Sequence, residues 1–202
     1  MTRRRSRRDL LTSWFGSVKS AAEAVRPAPT TDPEVALRPP GALVPDEQFL
    51  QSCTGCEECV PVCPTGSILT LKLDGERLVP AINPSVKPCY LCSDLPCIAA
   101  CPDGALSDPG DPAQVRLGIA RVNPRRCVTF TGQSCDACYR ACPYPSRAIM
   151  LIGGRPLVAS GACTGCGLCE HACPEHPKAI TVIAERHLVP GLRVPREEHD
   201  WK

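Results

Sequence analysis

The chain has 202 residues, 43% of them hydrophobic and only 4% aromatic, and a formal charge of +2. Sixteen residues are Cys, and setting these aside lowers the hydrophobic share to about 35%, thin for a self-sufficient apolar core. Residues 1–8 carry five Arg and no acid, leaving the remainder at a net −3. That remainder shows no basic run, which disfavours nucleic-acid binding, and no run of 18 apolar residues, which argues against a transmembrane segment.

The first expected element covers residues 1–26. Ser6-Arg7-Arg8-Asp9-Leu10-Leu11 resembles a twin-Arg export signal. A signal peptide needs an apolar stretch of about 7–15 residues after its basic start. Here Thr12, Ser13, Ser17, Lys19, Ser20 and Glu23 interrupt it. Leu10, Leu11, Trp14, Phe15, Val18, Ala21, Ala22 and Val25 instead follow helical spacing and form one apolar face. The expectation is an uncleaved basic amphipathic helix on a cytoplasmic protein, peripheral to the membrane, with twin-Arg export to the periplasm as the alternative. Residues 27–45 contain six Pro, at 27, 29, 33, 39, 40 and 45, and read as an extended linker.

From residue 46 the chain is organised by cysteine. Group one is Cys53, Cys56, Cys59 and Cys63; group two is Cys89, Cys92, Cys97 and Cys101. Group three is Cys127, Cys135, Cys138 and Cys142; group four is Cys163, Cys166, Cys169 and Cys173. No Cys is left over, and Pro64, Pro102, Pro143 and Pro174 follow the last Cys of each group. Groups one and four read C-x2-C-x2-C-x3-C-P, the bacterial ferredoxin run. Group two widens one gap to four residues, and group three opens its first gap to seven.

The spacing has a chemical reason. Two residues between cysteines let the backbone wrap a cubane so that each of three thiolates reaches its own iron. The amides of the wrap point at cluster sulfur, and Gly55 and Gly165 hold the same slot in groups one and four. In two-cluster ferredoxins the fourth Cys ligates the other cluster, so motifs work in pairs. Zinc would use pairs of C-x2-C and leaves the third Cys, the fourth Cys and the Pro unexplained. Disulfides fit poorly, because cysteines at i, i+3 and i+6 cannot readily bridge one another.

Between the groups, Ile68–Leu73 and Glu76–Ile82 flank Asp74-Gly75 as a hairpin, and Ala148–Ile152 and Arg155–Val158 flank Gly153-Gly154 as a second. Strands are expected near Val115–Val122 and at Ala179–Ile183, with a short helical turn following each fourth Cys. The fold class is α+β: two pseudo-symmetric bacterial-ferredoxin-like modules over residues 46–185, with an extended C-terminal arm at 186–202. Tyr90, Phe130 and Tyr139 are expected to pack over clusters. His171 and His176 read as surface residues, and Asp94 and Asp136 as solvated or capping. No catalytic triad, GxGxxG or P-loop is visible, so no catalytic residue is expected.

Pro88-Cys89-Tyr90-Leu91-Cys92-Ser93-Asp94-Leu95-Pro96-Cys97 and Cys135-Asp136-Ala137-Cys138-Tyr139-Arg140-Ala141-Cys142-Pro143 resemble the ferredoxin-type proteins of periplasmic nitrate reduction and methylamine utilisation. The resemblance covers about residues 48–185, the seven-residue gap included. It implies four [4Fe–4S] clusters on the sixteen cysteines. It also implies electron transfer from a quinol-oxidising membrane donor towards a catalytic oxidoreductase subunit, this chain being non-catalytic. The four-motif layout is also similar to electron-transfer subunits of molybdopterin oxidoreductases. That similarity implies outer pairing with outer: Cys53, Cys56, Cys59 with Cys173, and Cys163, Cys166, Cys169 with Cys63. The inner sets are then Cys89, Cys92, Cys97 with Cys142, and Cys127, Cys135, Cys138 with Cys101. Sequential pairing, one with two and three with four, stays open on spacing. A second functional reading is a maturation factor servicing a partner oxidoreductase.

Overall fold

The computed structural model describes residues 36–73 and 77–184. The helix expected over 1–26, the start of the Pro-rich segment and the arm expected at 186–202 lie outside the described residues. So do residues 74–76, the expected hairpin turn.

Within the described residues the elements are short. In order they are α1 (Asp46–Ser52), β1 (Ile68–Leu73), β2 (Arg77–Ile82), α2 (Pro96–Ala99), β3 (Ile119–Val122), α3 (Ala137–Ala141), β4 (Ile149–Ile152), β5 (Arg155–Val158), α4 (Leu168–Ala172) and β6 (Ile180–Ile183). They form three two-stranded antiparallel sheets, β1–β2, β3–β6 and β4–β5. β1 and β2 pair from Ile68 with Ile82 to Leu73 with Arg77. β4 and β5 form the second expected hairpin, turning on Gly153 and Gly154 at φ +56 and +78, the left-handed pair that a two-residue turn requires. β3 and β6 pair Ile119 with Ile183 and Val122 with Ile180. Bridges from Leu37 to Ile82 and from Ala42 to Leu106 tie down the start of the first half.

Three expectations change. The strand near Val115–Val122 is shorter. Asp111 accepts a hydrogen bond from the Ala113 N–H at 2.8 Å and starts a 3-10 turn over Pro112–Gln114. Leu117 then donates to Thr164 O at 2.8 Å, so this stretch lies along the group-four loop before β3 begins.

The helical turns precede the fourth Cys instead of following it. α2, α3 and α4 contain Cys97, Cys138 and Cys169, and α3 and α4 end on Cys142 and Cys173 in extended conformation. Proline excludes the helical conformation from the residue before it, so Pro143 and Pro174 stop each helix at the fourth thiol.

Residues 36–45 are not a free extended linker, and they turn at Pro40 and Gly41, where Ala42 donates to Pro39 O at 3.2 Å. Leu37 and Ile82 exchange two backbone hydrogen bonds of 2.8 Å. Buried Arg38 grips buried Asp46 with both prongs, at 2.9 and 2.8 Å, and lies over the Phe49 ring. The core that these residues close is small: Phe49, Val79, Ile82, Val115 and Ile149, interspersed with cysteines from every group. Thiols thus occupy the interior that apolar side chains would otherwise fill.

Candidate metal centres

Each centre begins as a tight wrap of backbone. Gly55, between Cys53 and Cys56, sits at φ +78, and a Cβ there would come within 2.7 Å of Leu78 O. In group two the same slot is filled by Leu91 at φ +53, although an L side chain in this region costs about 1–2 kcal/mol. The conformation turns the Gly55 amide towards the Cys53 thiol and the Leu91 amide towards Cys89. The irregular gaps have local causes as well. In group three the seven residues after Cys127 accommodate a 3-10 turn, Val128–Thr131, closed by Gly132 at φ +91. In group two, left-handed Leu95 at φ +40 precedes Pro96 and starts α2, carrying Cys97 inward.

The loops enclose four hollows, each lined by four cysteines. Cys53, Cys56 and Cys59 meet Cys101 around the first. Cys89, Cys92 and Cys97 meet Cys63 around the second. Cys127, Cys135 and Cys138 meet Cys173 around the third, and Cys163, Cys166 and Cys169 meet Cys142 around the fourth. The hollows are nearly equal, each with a cavity volume of about 20 Å³. The outer-with-outer pairing implied by the molybdoenzyme subunits is therefore corrected. Cys63 and Cys101 are exchanged between the hollows of groups one and two, and Cys142 and Cys173 between those of groups three and four.

The donor set fits a polynuclear cluster. All sixteen thiols are free of disulfides. Among the described residues no three Cys, His, Asp or Glu converge closely enough to hold a single ion, whereas tetrahedral zinc needs four ligand atoms about 2.0–2.3 Å from one point. Four thiols lining one hollow supply the number of thiolates that a [4Fe–4S] cluster takes.

Electrostatics makes several of the bare thiols poor anions. Burial, aided by the neighbouring thiols, pushes Cys59 and Cys89 up to about 12 and Cys97 and Cys138 to about 11. Cys169 rises well above the ordinary thiol value for the same reason. Cys63 is the exception. Burial raises it too, but the Thr65 hydroxyl at 3.5 Å and the Ser67 amide at 3.3 Å, with further amides, outweigh burial and hold it low. Amide donors recur at Cys163, from Ala120 at 3.5 Å, and at Cys173, from Ala179 at 3.4 Å. These N–H groups are placed to stabilise thiolate once a cation is bound.

The halves meet at a seam between groups two and four. The Cys89 N–H donates to Cys166 O at 2.9 Å. Glu170, fully buried between Cys169 and Cys173, accepts hydrogen bonds from the Ser85 hydroxyl and from the Val182 amide at 2.6 Å. Burial raises its carboxyl, and the two donors partly offset this. Sequence reasoning missed Glu170; an acid enclosed within a cluster motif was the available signal.

Other expected roles divide. Tyr90 lines the second hollow, although it is 52% exposed. Phe130 lines none of the four and stacks under Arg155 at 5.2 Å. The Tyr139 hydroxyl pairs with Ser146 at 2.9 Å. His171 and His176 are exposed. Asp94 is exposed, and Asp136 pairs with Arg140 at 3.0 Å.

Comparison with known proteins places the chain among iron–sulfur proteins. A 4Fe-4S dicluster domain matches residues 52–105, and a 4Fe-4S binding domain matches residues 125–145 and 160–176. The chain is 39% identical over 158 residues to the methylamine utilization ferredoxin-type protein MauM of Paracoccus denitrificans, covering 72% of this chain and 70% of that protein. It is 38% identical over 142 residues to MauM of Methylorubrum extorquens, covering 64% of each. It is 37% identical over 147 residues to the ferredoxin-type protein NapG of Escherichia coli, covering 65% of this chain and 63% of NapG. No solved structure matches. The motifs, the two matched domains and the relatives lead to one conclusion: the chain belongs to the MauM and NapG family of ferredoxin-type iron–sulfur electron-transfer proteins.

Proposed function

We propose that the chain holds four [4Fe–4S] clusters, one in each four-cysteine hollow, and relays electrons between a redox donor and a catalytic oxidoreductase subunit. The observation that carries this is the set of four near-equal hollows, each lined by three cysteines of one motif and the last cysteine of its neighbour. Bound clusters supply one-electron chemistry, and the protein's part is to fix their order and keep water from them. Groups one and two exchange their fourth cysteines, as do groups three and four, and the Cys89–Cys166 hydrogen bond joins group two to group four. The resulting order runs from the group-one centre through groups two and four to the group-three centre. A hairpin in each half, closed by the Ala42–Leu106 bridge in the first and by the β3–β6 pair in the second, supports reading them as two pseudo-symmetric modules.

The test is stoichiometry together with redox behaviour. Anaerobically purified protein is expected to carry about sixteen iron and sixteen acid-labile sulfide, at four of each per cubane. Dithionite should reduce all of it within one preparation. Stoichiometric zinc without sulfide after anaerobic reconstitution would overturn the proposal. Among the described residues no helix is long and apolar enough to cross a membrane. We keep the reading of an uncleaved N-terminus on a cytoplasmic, membrane-peripheral protein. Mass spectrometry of the mature N-terminus after fractionation tests it, and a periplasmic chain lacking about its first 25 residues would establish twin-Arg export instead.

A further inference from the structure

The small net charge conceals a strong division along the chain. Residues 46–112 contain ten acidic side chains against Lys72, Arg77 and Lys87. Residues 113–162 contain seven Arg and one acid, Asp136, which is already paired with Arg140. The group-one end of the relay is therefore acidic and the group-three end basic.

The basic end also carries a broad groove of about 1200 Å³ between β3, β5 and the turn that holds Phe130. Its lining is mainly apolar and includes Leu117, Phe130, Leu157 and Val158. Arg116 and Arg121 are the charged residues in it, and no acid is present among the described ones. Arg155, stacked over Phe130 at 5.2 Å, adds a third guanidinium beside the groove. Leu157 is 49% exposed, so an apolar surface stands open among cations. Val122 and Pro156 line both this groove and the hollow of Cys127, Cys135, Cys138 and Cys173. One wall of the groove is thus one wall of the last centre in the relay.

We propose that this groove is the docking face for a redox protein that presents an apolar patch ringed by carboxylates. Docked there, the partner exchanges one electron with the centre held by Cys127, Cys135, Cys138 and Cys173. No bond is made or broken and no proton is transferred, and one participant is oxidised by one electron as the other is reduced. The proposal rests on the four-cluster reading. Charge complementarity selects a protein with an acidic face and steers its approach. The shared wall is what makes docking here productive, because Val122 and Pro156 line both the groove and the hollow. A nucleic acid or lipid headgroup would use the arginines but has no need of that wall.

The experiment uses full-length holoprotein and, as probe, a reduced plant-type [2Fe–2S] ferredoxin with an acidic surface. The second-order rate of electron transfer is expected to fall with added salt. Arg121→Glu/Arg155→Glu should lower it about tenfold or more at low salt, and should weaken ferredoxin binding in titration calorimetry. Arg121→Gln/Arg155→Gln should fall between the two and guards against a folding artefact. Glu47→Lys/Glu58→Lys, at the acidic end, should not slow the reaction. Iron, sulfide and reduction by dithionite are expected to match wild type throughout. Loss of these in the wild-type protein would instead count against the four-cluster reading. Unchanged rate, affinity and salt dependence in the charge-reversed pair would overturn the docking proposal. So would charge-reversal loss of binding to phosphatidylglycerol vesicles, or of self-association, with ferredoxin transfer intact.

Discussion

Gly167→Ala tests whether the seam between groups two and four holds the two inner centres together. Gly167 lies directly after Cys166 at φ +89 and begins α4. A Cβ there would stand 3.0 Å from Pro84 Cα and 3.4 Å from Pro88 Cβ, and closer still to Pro84 Cβ. Comfortable carbon–carbon contacts are about 3.5–4.0 Å, and two proline rings cannot rotate aside. Left-handed strain of about 1–2 kcal/mol and overpacking of about 1–3 kcal/mol give a combined cost of about 2–5 kcal/mol. The cheapest relief is for the group-four loop to withdraw, which breaks the 2.9 Å Cys89–Cys166 hydrogen bond. Iron content should stay at wild type while the guanidinium midpoint, followed by cluster absorbance, falls. The magnetic interaction between the inner centres in the fully reduced EPR spectrum should weaken. Gly104→Ala is the control: it has φ +65 and nothing within 4 Å of the added Cβ, so strain alone is expected. Equal midpoints and unchanged spectra for Gly167→Ala and wild type would refute the role of the seam.

Cys101→Ser should remove or convert the centre on Cys53, Cys56 and Cys59, and Cys173→Ser the one on Cys127, Cys135 and Cys138; site-resolved EPR or Mössbauer spectra showing the reverse would restore outer-with-outer pairing. Iron removal should unfold most of residues 46–184, since ligation supplies folding energy that the small core lacks; native circular dichroism in the apo chain would refute this. Because burial pushes Cys59 and Cys89 up to about 12, those thiols are protonated without metal at neutral pH, and ligation must expel the protons. Reconstitution should therefore release protons and become more favourable as pH rises. Acidification should strip the clusters, and any folded apo chain should lose stability as pH climbs from about 9 towards 12. A pH-stat that records no proton release would contradict this. Asp46→Ala leaves Arg38 charged and buried, which should cost about 3–5 kcal/mol in denaturant titration; Arg38→Met/Asp46→Leu should cost less, and an equal loss would show that the pair acts through more than charge.

The cluster motifs were legible because each is a local problem: a backbone wrapping a cube needs cysteines at fixed short separations wherever it occurs. The β4–β5 hairpin was legible for the same reason, through Gly153 and Gly154. Pairing was not local. Nothing between Cys53 and Cys63 encodes whether Cys101 or Cys173 completes the set, and the answer came from how the strands close each half. Leu91 escaped notice because a left-handed position was sought as glycine, yet buried packing holds a leucine there. The acidic and basic ends of the relay were averaged away in the net charge. Glu170 lies within the C-x3-C of group four, yet its partner Ser85 is 85 residues earlier in the chain, a contact that no local pattern encodes.

The sequential exchange of fourth cysteines also bears on the order in which the protein can be finished. The first two hollows are lined entirely by residues 40–106 and the other two by residues 120–182. A growing chain has every thiol of its first pair once Cys101 is added, with residues 102–202 still to be made. Iron delivery to that half need not wait for translation to end, and the second half repeats the process with its own two ligand sets. Had outer groups been joined to outer, Cys53 and its neighbours would have stayed open until Cys173 was synthesised, exposed thiols waiting through most of translation. The arrangement makes each half a separately completable unit, with the seam at Cys89, Cys166, Gly167 and Glu170 as the step that turns two short relays into one long one.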